Sequence, residues 1–143
     1  MIPFEIQRLD HAVLRVIDLE RSIQFYTQIL GCEVKRRRPD LGLVHLAVGV
    51  SMLDLVDING TVGRRGGGPV AREGPNMDHF CIRIEPFDAP ALIDYLDRHE
   101  VKRLTGIEQR FGAEGTGPSI YIADPDGNTV ELKGPVEIGR AHV

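Results

Sequence analysis

The stretch Leu9-Asp10-His11-Ala12-Val13-Leu14-Arg15-Val16 returns downstream, almost position for position, as Met77-Asp78-His79-Phe80-Cys81-Ile82-Arg83-Ile84. Both alternate with period two, the mark of a strand with one buried and one open face. Ala12, Leu14 and Val16 share one face of the first copy, and Phe80, Ile82 and Ile84 share one face of the second. His11 and His79 therefore point to the opposite, open side of their strands.

The repeat extends beyond these two strands. Asp18 is suited to cap a helix whose apolar stripe is Leu19, Ile23, Tyr26, Ile29 and Leu30, with Gly31 as its stop. In the second copy Asp88 caps, Pro90 sits in the first turn, and Leu92, Ile93 and Leu96 form the stripe. Three β-like segments come after the helix in each half, over about 32–38, 42–48 and 51–57, and over about 101–111, 118–123 and 128–133. Asp124-Pro125-Asp126-Gly127 is a turn signal between the last two.

The sequence thus predicts an α+β fold of two tandem βαβββ modules, 8–59 and 77–134, forming a cupped eight-stranded mixed sheet around a metal pocket. The Gly/Pro-rich segment 60–76 reads as a linker and 135–143 as a C-terminal tail, within a single domain over 1–143. The linker is expected to be the least ordered internal region. Its glycine run lacks the Lys-Ser/Thr ending of a phosphate loop, which argues against nucleotide binding.

Composition narrows the function. A chain of 143 residues with 42% hydrophobic and 27% charged residues has the balance of one globular domain. A net charge of −4 gives no reason to expect nucleic acid or an anionic membrane. The run Lys35-Arg36-Arg37-Arg38 before Pro39 reads instead as a solvated edge strand. Cys32 and Cys81 give no disulfide framework and are expected as reduced, buried thiols. No signal peptide or membrane span is evident, so a cytoplasmic location is expected.

Parity then gathers the polar candidates. Val130 and Leu132 flank Glu131, as Leu53 and Leu55 flank Asp54, so both carboxylates face the side that carries the histidines. Val44 and Leu46 bracket His45 as Ile120 and Ile122 bracket Tyr121, placing these two on that side as well. A pocket lined by His11, His45, Asp54, His79, Tyr121 and Glu131, with Val13 and Cys81 as wall, is very polar for an interior. Such groups are costly to bury unless paired or coordinating, and a metal is the simplest way to hold them together. The duplicated pattern favours His11, His79 and Glu131 as ligands over a lone strand histidine. Asp54, one methylene shorter than glutamate, and His45 are the candidates for further ligands. His99, near a helix end, reads as a favourable C-terminal charge, and His142 as part of the tail.

With Leu9-Asp10-His11, the Asp18 to Gly31 helix with its Phe25-Tyr26 pair, Met77-Asp78-His79, and Asp124-Pro125-Asp126-Gly127-Asn128-Thr129-Val130-Glu131-Leu132 in view, the chain resembles the vicinal oxygen chelate superfamily over about residues 8–134. That superfamily includes glyoxalase I, fosfomycin-resistance proteins, bleomycin-binding proteins, methylmalonyl-CoA epimerase and extradiol dioxygenases. The resemblance implies His11, His79 and Glu131 as ligands of one divalent ion (Zn, Ni, Mn, Co or Fe), with Asp54 where glyoxalase I has a second glutamate. It also implies Tyr121 at the position of a pocket tyrosine of fosfomycin-resistance proteins.

The activity implied is a glyoxalase I-type lyase or isomerase, with Glu131 and Tyr121 as catalytic residues, on a small substrate that chelates the metal through neighbouring oxygens. The alternatives are a metal-free antibiotic-binding protein of the bleomycin-resistance type, a fosfomycin-type thiol transferase and an extradiol dioxygenase. Tyr121, where the last would want a second histidine, argues against ring cleavage. A homodimer is implied too, in which modules can be exchanged between chains; the sequence leaves exchange open.

Overall fold

A computed structural model describes residues 1–68 and 77–136. The chain divides into two compact units, Met1–Ala71 and Arg72–Val143. The first contains β1 (His11–Val16), α1 (Leu19–Gln24), β2 (Glu33–Arg38), β3 (Leu43–Val48) and β4 (Ser51–Asp57). The second contains β5 (Phe80–Arg83), α2 (Ala89–Arg98), β6 (Glu108–Gly112), β7 (Gly115–Ala123) and β8 (Thr129–Lys133). Each has a four-stranded mixed sheet of the same order, β1-β4-β3-β2 and β5-β8-β7-β6. The predicted α+β repeat of βαβββ is what forms.

In both units the first and last strands pair in parallel, and the strands between them run antiparallel. A parallel pair cannot close through a tight turn, so the helix and two further strands occupy the crossover. The side chains of Asp18 and Asp88 cap the two helices by accepting from Arg21 N–H and Ala91 N–H. After Gln24 the first helix widens into a π-turn over Phe25–Ile29, then stops at Gly31, whose φ of 83° is readily adopted by glycine.

The apolar parities meet the helices. Leu14, Val16, Val44, Leu46, Leu53 and Leu55 are buried in the first unit, with Ile23, Phe25 and Tyr26 from the helical segment. In the second, Ile120, Ile122, Val130 and Leu132 are buried with Leu96. Removing one such side chain from water contributes about 1.5–3 kcal/mol, and a one-residue slip of any strand would forfeit it. The register is pinned between β7 and β8 by Asp124, whose carboxylate accepts from Asp126 N–H, Asn128 N–H and the Asn128 side chain, while Gly127 takes φ 84°.

Two expectations need correction. The strand expected over 101–111 is only Glu108–Gly112 plus an isolated bridge at Arg103, because Thr105 Oγ1, rather than a ladder carbonyl, takes the Tyr121 N–H. Cys32 is buried, but Cys81 is exposed, since its odd parity on β5 turns it to the open face. Gly63–Gly66 forms a 3₁₀ turn, and the Arg15 guanidinium donates to the carbonyls of Gly63, Gly67 and Gly68 at 3.0, 2.8 and 2.8 Å. Linker residues 69–76 and tail residues 137–143, including His142, lie outside the described residues. Among those described, no helix is long and apolar enough to cross a membrane.

Candidate functional site

The open face of the first unit carries His11, His45 and Asp54. His11 begins β1, and Asp54 stands opposite Val13 on β4, so the two meet diagonally across a parallel pair. His45 is directly opposite Asp54 across the antiparallel pair. Asp54 Oδ1 lies 2.7 Å from His45 Nδ1, and Oδ2 lies 4.0 Å from His11 Nε2. The other ring nitrogen of His11, Nδ1, is 2.9 Å from Asp10. That hydrogen bond first, then the charge of Asp54, raises the His11 pKa above its ordinary value. An open cavity of about 340 Å³ lies here, lined by Asp10, His11, Arg36, His45, Met52 and Asp54.

The second unit repeats the arrangement with longer reach. His79 immediately precedes β5, and Glu131 stands opposite Cys81, the same diagonal as His11 and Asp54. Here the extra methylene closes the gap: His79 Nε2 is 3.0 Å from Glu131 Oε1. Asp78 holds Nδ1 at 2.7 Å, as Asp10 does in the first unit. The second carboxylate oxygen of Glu131 accepts from Ser119 Oγ at 2.6 Å. Tyr121 is directly opposite Glu131, with its ring edge-on to His79 at 5.2 Å between centroids. Burial alone would raise the pKa of Glu131, but the hydroxyls of Ser119 and Tyr121 and the His79 ring together hold it below the ordinary carboxylate value.

These contacts bear on whether the residues fit a cation. With Nδ1–H given to an aspartate, a neutral imidazole presents its Nε2 lone pair, the arrangement seen where a second carboxylate orients a metal-binding histidine. In His79 both ring nitrogens face carboxylates, so a neutral ring would set a lone pair against either Asp78 or Glu131. A second ring proton or a bound cation would each resolve that conflict, and oxygen and imidazole donors without thiolate suit the divalent ions expected. The structure brings His11 together with Asp54 and His45, and His79 together with Glu131 and Tyr121. Within neither unit do three such donors converge on one point among the described residues.

Ser119 is not among the residues that strand parity singled out as candidates, although its position two residues before Tyr121 puts it on the same face. Asp10 and Asp78 stand out in the sequence only as half of a repeated Asp-His pair. His99 caps the C-terminus of α2 and packs on Tyr95, with ring centroids 4.5 Å apart.

A profile of the Glyoxalase/Bleomycin resistance protein/Dioxygenase superfamily matches residues 8–132. Human mitochondrial methylmalonyl-CoA epimerase is 30% identical over 132 residues, covering 88% of this chain and 73% of that protein. Virulence protein STM3117 of Salmonella typhimurium is 28% identical over 130 residues, covering 89% and 83%. Its crystal structure superposes with a TM-score of 0.73 over 93% of this chain and 100% of that one. Lactoylglutathione lyase from Agrobacterium tumefaciens, 23% identical with a TM-score of 0.64 over 90% of this chain and 94% of that one, shares the fold.

Proposed function

The chain belongs to the Glyoxalase/Bleomycin resistance protein/Dioxygenase superfamily, and from that premise we propose a divalent-metal-dependent lyase or isomerase that moves a proton on the carbon beside a substrate carbonyl. The observation that carries this reading is the duplicated histidine–carboxylate diagonal, His11 with Asp54 and His79 with Glu131, each histidine held by the aspartate before it. Similarity to an epimerase supports the same class, since that name describes rearrangement rather than oxidation.

In this reading His11, His79 and Glu131 hold the ion, and Asp54, a longer reach from His11, joins them or stays free. When bound, the ion supplies positive charge against the negative charge that gathers on the substrate oxygens as the proton leaves. The remaining work falls to the side chains. Glu131 is ionised at neutral pH and able to accept a proton, and Asp54 is the second candidate base. Tyr121, opposite Glu131, is in this reading the residue that donates to the developing oxyanion. Asp10 and Asp78 keep each imidazole turned with Nε2 outward.

Metal content of protein purified without an affinity tag tests the reading. About one divalent ion per chain is expected, lost in the double variant His11→Ala, His79→Ala together with enzymatic proton exchange on a panel of 2-oxo thioesters and hemithioacetals. Full metal content and activity in that variant would overturn it in favour of a metal-free binding cleft.

A further inference from the structure

Four cations stand in a row on β2, and the structure treats one of them differently. Lys35 pairs with Glu33, Arg37 with Glu20 of the first helix, and Arg38 with Asp40. Arg36 closes no ion pair or hydrogen bond among the described residues; Asp40 feels its charge only at longer range. Arg36 also lines the cavity that holds His11, His45 and Asp54.

The backbone accounts for the difference. Val34 pairs with Leu46, but the next paired residue on β2 is Arg36, opposite His45, because the register shifts between them. Lys35 is the extra residue of a bulge. Without it, alternation would set Lys35 opposite His45 and turn Arg36 to the helix side. With it, Arg36 shares the open face with His45, and Arg37, opposite Val44, turns to the helix side and reaches Glu20. Both carboxylates of the cavity are already engaged, Asp10 by His11 and Asp54 by His45. The guanidinium is the charged group lining that cavity that has no hydrogen-bond partner among the described residues.

We infer that this cavity is an anion subsite in which Arg36 binds a carboxylate or phosphate group. A guanidinium offers such a group two parallel hydrogen bonds, and a cavity of about 340 Å³ admits it beside the two imidazoles. The proposed function enters only in calling the anion part of a substrate: that substrate then carries a negatively charged group apart from the two oxygens that chelate the ion.

Calorimetric titration of the full chain with malonate and, separately, with inorganic phosphate tests the subsite, using wild type, Arg36→Gln, Arg36→Lys and Arg37→Gln. At least one anion is expected to saturate a single site per chain, the tighter one naming the group. Arg36→Gln should weaken it about tenfold or more, Arg36→Lys less, and Arg37→Gln not at all. The inference fails if neither anion saturates, if Arg36→Gln binds as wild type does, or if Arg37→Gln costs as much. Metal content measured on the same samples separates the two readings. Arg36-dependent anion binding in a protein that carries no metal keeps the subsite and removes the chelate; Arg36-independent binding with metal intact does the reverse.

Discussion

His79 Nε2 and Glu131 Oε1 lie 3.0 Å apart, closer than the 4.0 Å between the corresponding His11 Nε2 and Asp54 Oδ2. The backbone diagonals are the same, so the difference is the single methylene between aspartate and glutamate. The two modules are therefore equivalent in placement and unequal in reach.

Glu131→Gln should accordingly cost more than Asp54→Asn. Both keep the size of the side chain and remove its charge. Metal affinity, followed by equilibrium dialysis and mass spectrometry, is expected to drop more than about tenfold for Glu131→Gln, with loss of activity and little change in melting temperature. A larger loss in Asp54→Asn would reverse the assignment of principal carboxylate.

The aspartates that hold the rings should act through them. Asp10 and Asp78 are largely exposed, so replacing either by alanine leaves stability within about 0.5 kcal/mol. Metal affinity should nevertheless fall about 10–100-fold, because the imidazole loses the acceptor that sets its tautomer and orientation. Unchanged affinity in both variants would show that the rings need no such support.

The two thiols should be inert for different reasons. Burial pushes Cys32 up to about 11. At exposed Cys81, partial desolvation and then the neighbouring Glu131 push the thiol up to about 12. A reagent that attacks thiolate should modify neither quickly at neutral pH, even though it can reach Cys81. Since the folded values lie above the ordinary 9.0, the chain binds more protons folded than unfolded above that pH, and stability should fall as pH rises from 9.0 toward about 11 and 12. Rapid alkylation of native Cys81 at neutral pH would contradict this.

Local pattern alone carries the duplicated module, its strand parities, both helix caps and the face on which His11, His45, Asp54, His79, Tyr121 and Glu131 lie. All of these follow from period-two alternation and capping, which act between residues close in the chain. Three other features arise only once the strands are paired: Ser119 bonds Glu131, Thr105 interrupts the strand before Glu108, and the bulge at Lys35 turns Arg36 rather than its neighbour into the cavity. Each depends on cross-strand register or on the reach of a side chain, which neighbours in the chain do not set. One extra residue in β2 reverses which cation faces His45, and one methylene separates a 3.0 Å contact from a 4.0 Å gap.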